Sequence, residues 1–333
     1  MAEITRTPRS LAGLLGLACA LTGCASNALH LQALGTAADK PSHVSVYLAA
    51  TRGDAPVTGL NAEDFSIYEQ GQRLEPSATQ QLLLPREVAA AHRALLLIDV
   101  SAATPEDVRR ELAQAEQLFV DTVRRTQAVS VYVFDGGPKI RLQSELDRET
   151  RPTKVTTPAA PTPRDTSRNL NGAVVQALDQ LDAKLSSSPL PLKVGTLVVF
   201  SGGGDLAGRV SASELAARLD RSTATLITIG IGDNPELVRL GRNGYVDAHS
   251  KDTLSLAFED AAHRVDADTA KYYLLSYCSP ARAERRNVRI ELKVLDDQGK
   301  PETGSVDTEF DASGFTPGCD PRATPHFVRG KLE

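Results

Sequence analysis

Asp99 and Ser101 stand directly after the apolar run of residues 94–98, where their oxygens could bind a ligand. A run of this length is typical of a strand buried on both faces of a parallel sheet. Open sheets of that class bind ligands in a crevice at the carboxyl ends of their strands. The two residues form no nucleophilic triad, because no motif places His92 or His249 beside them. We therefore expect a binding site and no enzyme.

From residue 94 onward the sequence alternates between strand and helix patterns. Apolar runs predict strands, and between them apolar residues recur at helical spacing, as in Val108, Leu112 and Phe119. This alternation predicts an α/β fold, a doubly wound and mostly parallel sheet with helices on both faces. The predicted strands are residues 94–98, 129–134, 196–200 and 225–231. One helix is predicted to begin near Thr104, and three others are predicted at residues 170–181, 211–220 and 251–266.

Shorter strand patterns flank this region, and they predict a small antiparallel β unit built from N- and C-terminal segments. Residues 43–51 and 65–68 alternate between apolar and polar side chains, and residues 79–84 suggest a third strand. A unit of this size is marginal alone and should pack on something else. The predicted divisions are a signal peptide (1–23), a flexible tether (24–41), a small β region (42–90), a central domain (91–270), a β hairpin (271–299) and an irregular tail (300–333).

The first 23 residues have the pattern of a targeting segment. Two arginines precede the apolar residues 11–21, a stretch too short to span a bilayer. Residues 21–24 then read Leu-Thr-Gly-Cys and match the bacterial lipobox, in which the signal is cut before a cysteine that becomes lipidated. An ordinary signal peptide with an incidental cysteine is the alternative. Ala25 stands where an aspartate would favour the inner membrane, so the interpretation is a lipid anchor on Cys24 in a bacterial envelope, with the outer membrane favoured.

The net charge and the cysteine content limit which partners and which redox environment we expect for this protein. The formal charge of −5 is mild and there is no long basic block, so we expect no nucleic-acid partner. The four cysteines form no C-x-x-C motif. With the signal removed and Cys24 acylated, Cys278 and Cys319 remain, and they can pair in an oxidising envelope compartment. Two unpaired thiols are the alternative.

The order of these motifs resembles that of a bacterial group of von Willebrand factor type A domain lipoproteins with flanking β segments. The run that ends at Asp99-x-Ser101 resembles the first strand of the A domain. Residues 57–69 resemble the β region that precedes it there, and residues 272–277 and 288–294 resemble the strands that follow it. The resemblance covers roughly residues 43–295. It implies a domain that binds another protein in adhesion or assembly.

The resemblance also implies a Mg²⁺ site built by three loops, and this chain departs from it. The first loop keeps Asp99 and Ser101 but has Ala103 in place of the second hydroxyl. Arg168 stands where the family has a threonine, and Gly202 stands where it has an aspartate. A hard cation needs an octahedron of oxygens, so the loss favours a site without metal or other cofactor.

Two hypotheses follow for this degenerate site. In the first, Arg168 pairs with Asp99 and replaces the cation, as a partly exposed ion pair that contributes about 1 kcal/mol. In the alternative, Asp99, Ser101 and Asp205 still hold Mg²⁺.

The sequence as a whole favours a lipid-anchored cell-envelope protein whose central domain binds an unknown protein without a metal. A Mg²⁺-dependent adhesion receptor and a purely structural envelope protein are the alternatives.

Overall fold

The computed structural model describes residues 28–53, 55–147, 166–296 and 298–327. The predicted signal peptide and Cys24 lie outside these residues. The strands of the described chain are β1 (Leu29–Asp39), β2 (His43–Arg52), β3 (Ala55–Pro56), β4 (Phe65–Glu69), β5 (Gln72–Arg73), β6 (Leu82–Leu84), β7 (Ala90–Asp99), β8 (Ala128–Phe134), β9 (Arg141–Leu146), β10 (Leu192–Ser201), β11 (Thr225–Gly230), β12 (Tyr245–Asp247), β13 (Tyr272–Cys278), β14 (Arg285–Leu295) and β15 (Pro301–Asp311). The α-helices are α1 (Pro76–Thr79), α2 (Glu106–Val123), α3 (Leu170–Ser187), α4 (Ala212–Asp220), α5 (Pro235–Leu240) and α6 (Leu254–Ala270).

The central sheet has the strand order β12-β11-β10-β7-β8-β9. All neighbouring strands are parallel except β8 and β9, which are antiparallel. The chain enters at β7, continues to β8 on one side, and then returns through α3 to β10 on the other side. The strand order therefore reverses between β7 and β10, and the carboxyl ends of these two strands flank the crevice where such sheets bind ligands.

Helices cover both faces of the central sheet, as the predicted fold class requires. On one face α2 and α6 bury a core that contains Phe119, Phe200 and Phe258. On the other face α3 and α5 bury Leu178 and Leu237 against the sheet. The prediction of a mostly parallel α/β sheet flanked by helices is confirmed. No α-helix within the described parts of the chain is both long and apolar enough to cross a membrane.

The flanking β unit is a sandwich of two antiparallel sheets. The inner sheet has the order β1-β2-β13-β6, with β3 paired to β2, and the outer sheet has the order β15-β14-β4-β5. Side chains from both sheets fill the core between them, among them Val46, Leu48, Ile67 and Ile290. The predicted antiparallel unit from N- and C-terminal segments is therefore present, but its boundaries differ from those expected.

Two segments predicted to be irregular are long strands. Within the predicted tether of residues 24–41, β1 pairs with β2 from Leu29 to Asp39, and Leu31 is buried in the sandwich core. Within the predicted tail of residues 300–333, β15 pairs with β14 along its whole length. Both predictions were wrong for these strands, because the small and polar residues of β15 and of the second half of β1 have weak intrinsic strand preference, and only the pairing partner supplies their hydrogen bonds.

The predicted β hairpin of residues 271–299 is also wrong. Strand β13 lies between β2 and β6 in the inner sheet, whereas β14 lies between β4 and β15 in the outer sheet. The predicted β region of residues 42–90 likewise divides between both sheets, and the expected third strand of residues 79–84 is reduced to β6. Alternation of apolar and polar residues identifies a strand, but it does not show which other strand pairs with that strand.

The outward face of the inner sheet packs against the amino ends of the central strands. Tyr47 and Leu274 from the inner sheet form a cluster with Ala90 and Leu192, which begin β7 and β10. The Tyr47 hydroxyl lies 2.7 Å from Nε2 of His92, and burial lowers the pKa of His92 to about 3, so the ring is neutral at physiological pH. The crevice at the carboxyl ends therefore lies at the far end of the central sheet from the sandwich.

A disulfide joins the end of β13 to the C-terminal segment. Cys278 and Cys319 are bonded, with their Cα atoms 5.8 Å apart, which decides between the two alternatives left by the sequence. The Ser276 hydroxyl donates to the carbonyl of Pro321 at 2.6 Å, and Phe327 joins the cluster between the inner sheet and the central domain. Closing a loop of this length contributes about 4 kcal/mol in the chain-entropy model.

The Glu116 carboxyl group is buried in the central domain, and none of the described residues forms an ion pair with it. Glu116 of α2 is 1% exposed, and one of its oxygens accepts a hydrogen bond from Gln143 Nε2 at 2.7 Å. Its other oxygen, Oε1, is buried without a hydrogen-bond partner. Burial raises the pKa of Glu116 to about 7, and the hydrogen bond from Gln143 offsets part of that rise. The folded protein therefore retains the Glu116 proton at pH values where the unfolded chain has lost it.

We expect Glu116→Gln to change the pH dependence of stability. A carboxyl whose pKa rises on folding from 4.5 to about 7 stabilises fully at low pH, and that contribution declines as the pH rises toward 7. The wild type should lose about 3 kcal/mol relative to the variant between pH 4 and pH 8, measured as the free energy of unfolding in urea. Glu111→Gln, at an exposed position of the same helix, is the control and should follow the wild type. A constant difference between Glu116→Gln and the wild type would contradict the assignment.

Candidate functional site

The crevice at the carboxyl ends of β7 and β10 is built around the Asp99 carboxylate. Asp99 is the last residue of β7, and it is fully buried. Five donors from three segments of the chain point at its two oxygens. They are Ser101 N at 2.9 Å, Thr104 Oγ1 at 2.8 Å, Ser201 Oγ at 3.0 Å, Gly202 N at 3.1 Å and Arg168 Nε at 2.5 Å. Four of them point at Oδ2 and one at Oδ1, so both oxygens of the carboxylate are paired inside the protein.

Arg168 supplies the positive charge at this site. It lies two residues before the start of α3, and its side chain is only 4% exposed. Besides Asp99, its guanidinium donates to the Gly204 carbonyl at 3.2 Å and to Thr104 Oγ1 at 3.4 Å. The expectation of a partly exposed pair was wrong on burial, because the loop after β10 covers the guanidinium. Removing one partner of such a buried pair lowers the free energy of unfolding by about 3–5 kcal/mol, because the other partner is left as an unpaired buried charge.

Close approach of backbone explains the three consecutive glycines after β10. A Cβ atom at Gly203 would lie 2.6 Å from Arg168 Nη1, and one at Gly202 would lie 2.7 Å from Thr104 Oγ1. At Gly204 the added atom would overlap the Glu236 carboxylate. Glycines are required here because the loop lies directly on polar side chains.

The loop after β7 is held by its own backbone and by an arginine. Thr104 N donates to the Ser101 carbonyl at 3.1 Å, and Arg109 Nη1 donates to the carbonyls of Ser101 and Thr104 at 2.9 and 2.7 Å. Thr104 was predicted to cap α2, but the N-cap residue is Pro105 and the threonine hydroxyl donates to Asp99 instead. The tight turn thereby brings Thr104 over the carboxylate.

The residues present do not fit a Mg²⁺ ion. Ser101 Oγ is buried without a hydrogen-bond partner, so one oxygen is free, but Ala103 adds none. The Asp205 carboxylate accepts hydrogen bonds from the backbone N–H groups of Asn171 at 3.0 Å and Gly208 at 2.8 Å. It therefore holds the start of α3 and its own loop. An octahedral ion cannot be assembled from Asp99, already fully paired, and one serine.

Of the sequence-predicted ligands, the structure brings Asp99 and Ser101 together and leaves Asp205 out of contact with them. Within the described ranges, no three His, Cys, Asp or Glu side chains are grouped as metal ligands. Sequence reasoning missed the roles of Thr104 and Ser201 as donors to Asp99. The sequence contained a sign of these roles, because each residue carries a hydroxyl group where β7 or β10 ends or in the loop that follows.

The rim of the crevice carries exposed apolar side chains. Leu206 is 61% exposed, and its backbone N–H donates to the Arg168 carbonyl at 2.8 Å. Val238 of α5 is 44% exposed, and α5 adjoins the same loop because Glu236 accepts a hydrogen bond from Asp205 N at 3.1 Å. The crevice is thus closed by paired charges at its base and bordered by apolar groups that a partner could contact.

Among known proteins, this chain is similar in structure to several solved structures. No protein-family model matches the chain, and no curated protein matches it. Solved structures similar to it include a von Willebrand factor type A protein from Catenulispora acidiphila, with 13% identity and a TM-score of 0.44 over 87% of this chain and 74% of the other. The ArnB paralogue VWA2 from Sulfolobus acidocaldarius has 12% identity and a TM-score of 0.35 over 85% and 75%. Proximal thread matrix protein 1 from the mussel byssus has 14% identity and a TM-score of 0.40 over 62% and 50%.

Two of these similar structures, those from Catenulispora acidiphila and Sulfolobus acidocaldarius, carry the name of the von Willebrand factor type A group. The assignment of the fold itself rests on the strand order of the central sheet and on its helices.

We expect two buried serines of the site to differ in their effect on stability. Ser201→Ala removes a hydroxyl that lies 3.0 Å from Asp99 Oδ2 and 2.7 Å from the Gly203 carbonyl, and it should lower the free energy of unfolding by about 1–3 kcal/mol. Ser101→Ala removes a hydroxyl that has no hydrogen-bond partner, so its effect should stay within about 0.5 kcal/mol. Both residues are fully buried, which makes them matched variants for denaturant unfolding. A larger loss for Ser101→Ala than for Ser201→Ala would overturn this account of the site.

Proposed function

We propose that this protein is a lipid-anchored bacterial envelope protein whose central domain binds another protein at the crevice without a metal ion. The observation that carries the proposal is the pairing of Arg168 with Asp99. In a metal-dependent site a bound cation would balance the carboxylate and present an open position to a ligand. Here a fixed guanidinium balances it inside the protein, so the crevice needs no ion to be electrostatically complete.

Burial of the guanidinium also limits what the crevice can recognise. Arg168 has one N–H group on Asp99 and others on Gly204 and Thr104, and its side chain is 4% exposed. It is therefore not available to a carboxylate of the partner. The loops that border the crevice expose both charged and apolar side chains, and Leu206, at 61% exposure, is the most exposed of the large apolar ones there. We infer that the partner contacts this rim through apolar side chains, with paired charges beneath.

The envelope location and the lipid anchor rest on the sequence of residues 1–24. The disulfide between Cys278 and Cys319 agrees with this location, because structural disulfides persist mainly in oxidising compartments. The outer membrane is favoured by Ala25 at the position after the cysteine. No nucleic acid is proposed as a partner, and no reaction is proposed for the crevice.

The melting temperature of the wild type should not respond to millimolar Mg²⁺ or to EDTA. Combining Arg168→Thr with Gly202→Asp and Ala103→Ser supplies oxygens and removes the guanidinium, so the melting temperature of this variant should rise with Mg²⁺. Arg168→Thr alone is the control for the loss of the ion pair and should melt lower than the wild type. A wild-type melting temperature that climbs with Mg²⁺ would instead favour the metal-dependent receptor.

Binding at the crevice can be tested in intact cells with a photocrosslinking amino acid. Placed at Leu206, on the rim, it should give a discrete crosslinked product whose yield is unchanged by EDTA. Placed at Leu118, 37% exposed on α2, it should not give that product. Loss of the Leu206 product in EDTA would contradict a metal-independent function. The absence of any discrete product at Leu206 would favour a purely structural role.

A further inference from the structure

We propose that one end of the β-sandwich, the end at which β1 begins, rests on the bilayer that holds the acyl chains of Cys24. This end is called the exit end, and it comprises Ala28, Leu29, Arg52, Leu295 and Glu302. The inference rests on the proposed lipid anchor, and it adds the surface that meets the membrane and the orientation of the domain.

The distance from the anchor to the folded chain is short. The sequence alone predicted a flexible tether over residues 24–41, but β1 begins at Leu29 and Ala28 is already tied to the sandwich. Three residues separate Cys24 from Ala28, so four residue-to-residue steps join them, and a fully extended chain spans at most about 3.3–3.6 Å per step, or about 14 Å in total. The exit end can therefore not move further than that from the lipidated cysteine.

Hydrogen bonds fix the point at which the chain leaves the sandwich. The Ala28 carbonyl accepts a hydrogen bond from Gly53 N at 3.2 Å, and Leu29 N donates to the Glu302 carboxylate at 2.6 Å. The same carboxylate is paired with Arg52 at 3.1 Å. Because the first residues of β1 are held by two other strands, the sandwich cannot lengthen its tether by releasing them without breaking these contacts.

The exit end presents an apolar side chain beside a lysine. Leu295, the last residue of β14, is 64% exposed, and its carbonyl accepts a hydrogen bond from Arg52 Nη2 at 3.3 Å, which places it at the exit end. Lys300 in the following turn is exposed. An apolar group flanked by a cation suits the boundary between lipid headgroups and acyl chains.

The orientation leaves the crevice free for its partner. The amino ends of β7 and β10 pack against the inner sheet, and their carboxyl ends lie at the other end of the central sheet. Ten residues of β7 span about 30 Å at the usual rise of a strand. The rim residue Leu206 thus stands at the end of the central domain remote from the sandwich that carries Leu295.

The test compares two exposed leucines in the acylated full-length protein. Leu295→Cys and Leu206→Cys would each be labelled with a fluorophore sensitive to its environment, with the Cys278–Cys319 disulfide left intact. The protein would be reconstituted into vesicles of phosphatidylethanolamine and phosphatidylglycerol that contain nitroxide-labelled lipid. Quenching should be several-fold greater at position 295 than at position 206. Equal quenching at the two positions, or none at position 295 in protein that floats with the vesicles, would overturn the proposal.

Two further variants separate this inference from the anchor itself. A flexible Gly-Ser segment of about 20 residues inserted between Ser26 and Asn27 keeps the acyl chains but lengthens the tether, so the quenching at position 295 should fall sharply. Cys24→Ser removes the acyl chains and should abolish flotation with the vesicles. Continued flotation of Cys24→Ser would overturn the lipid anchor and this proposal with it. Normal flotation of the wild type with an unquenched label at position 295 overturns only the orientation.

Discussion

The buried ion pair between Arg168 and Asp99 is the interaction on which the rest of the crevice depends. Asp99 stands at the reversal point of the central sheet, and a carboxylate buried there without a counter-charge would cost several kcal/mol. The guanidinium that balances it enters from the segment before α3. The glycine loop after β10 then lies directly over the guanidinium, and this is possible only because Gly202 and Gly203 have no side chains.

The same pair explains why the site differs from a metal centre that has merely lost ligands. An incomplete cation site would leave oxygens without partners, whereas Asp99 receives five donors. Ser101 is the exception, since its hydroxyl is buried without a partner. The Asp205 carboxylate instead accepts a hydrogen bond from the backbone N–H of Asn171 at the start of α3. The charge of Asp99 is thus balanced within the fold, and the rim left to a partner includes the exposed apolar side chains of Leu206 and Val238.

The inner sheet is the second constraint, because it belongs to two cores at once. One face closes the sandwich with Val46 and Leu48, and the other face receives the amino ends of β7 and β10 around Tyr47. The C-terminal segment, bonded through Cys319, reaches the same junction with Phe327. The sandwich and the central domain therefore share buried residues, and β1, close to the proposed anchor, is part of that joint structure.

The sequence by itself determined the class of the central domain, since apolar runs and helical spacing depend only on which side chains must be buried. It also indicated Asp99 as the centre of the crevice and Arg168 as its counter-charge. Arg168 occupies a sequence position where an oxygen ligand is expected, and such a replacement can be read from the sequence alone. Tertiary structure alone decided the partners of each strand. The alternation in β1 covers only residues 29–33 and β15 has few apolar residues, so neither was recognised, and β13 and β14 separate into different sheets because pairing is chosen by long-range packing. The burial of Arg168 was likewise decided only when the glycine loop folded over it, which no local pattern specifies.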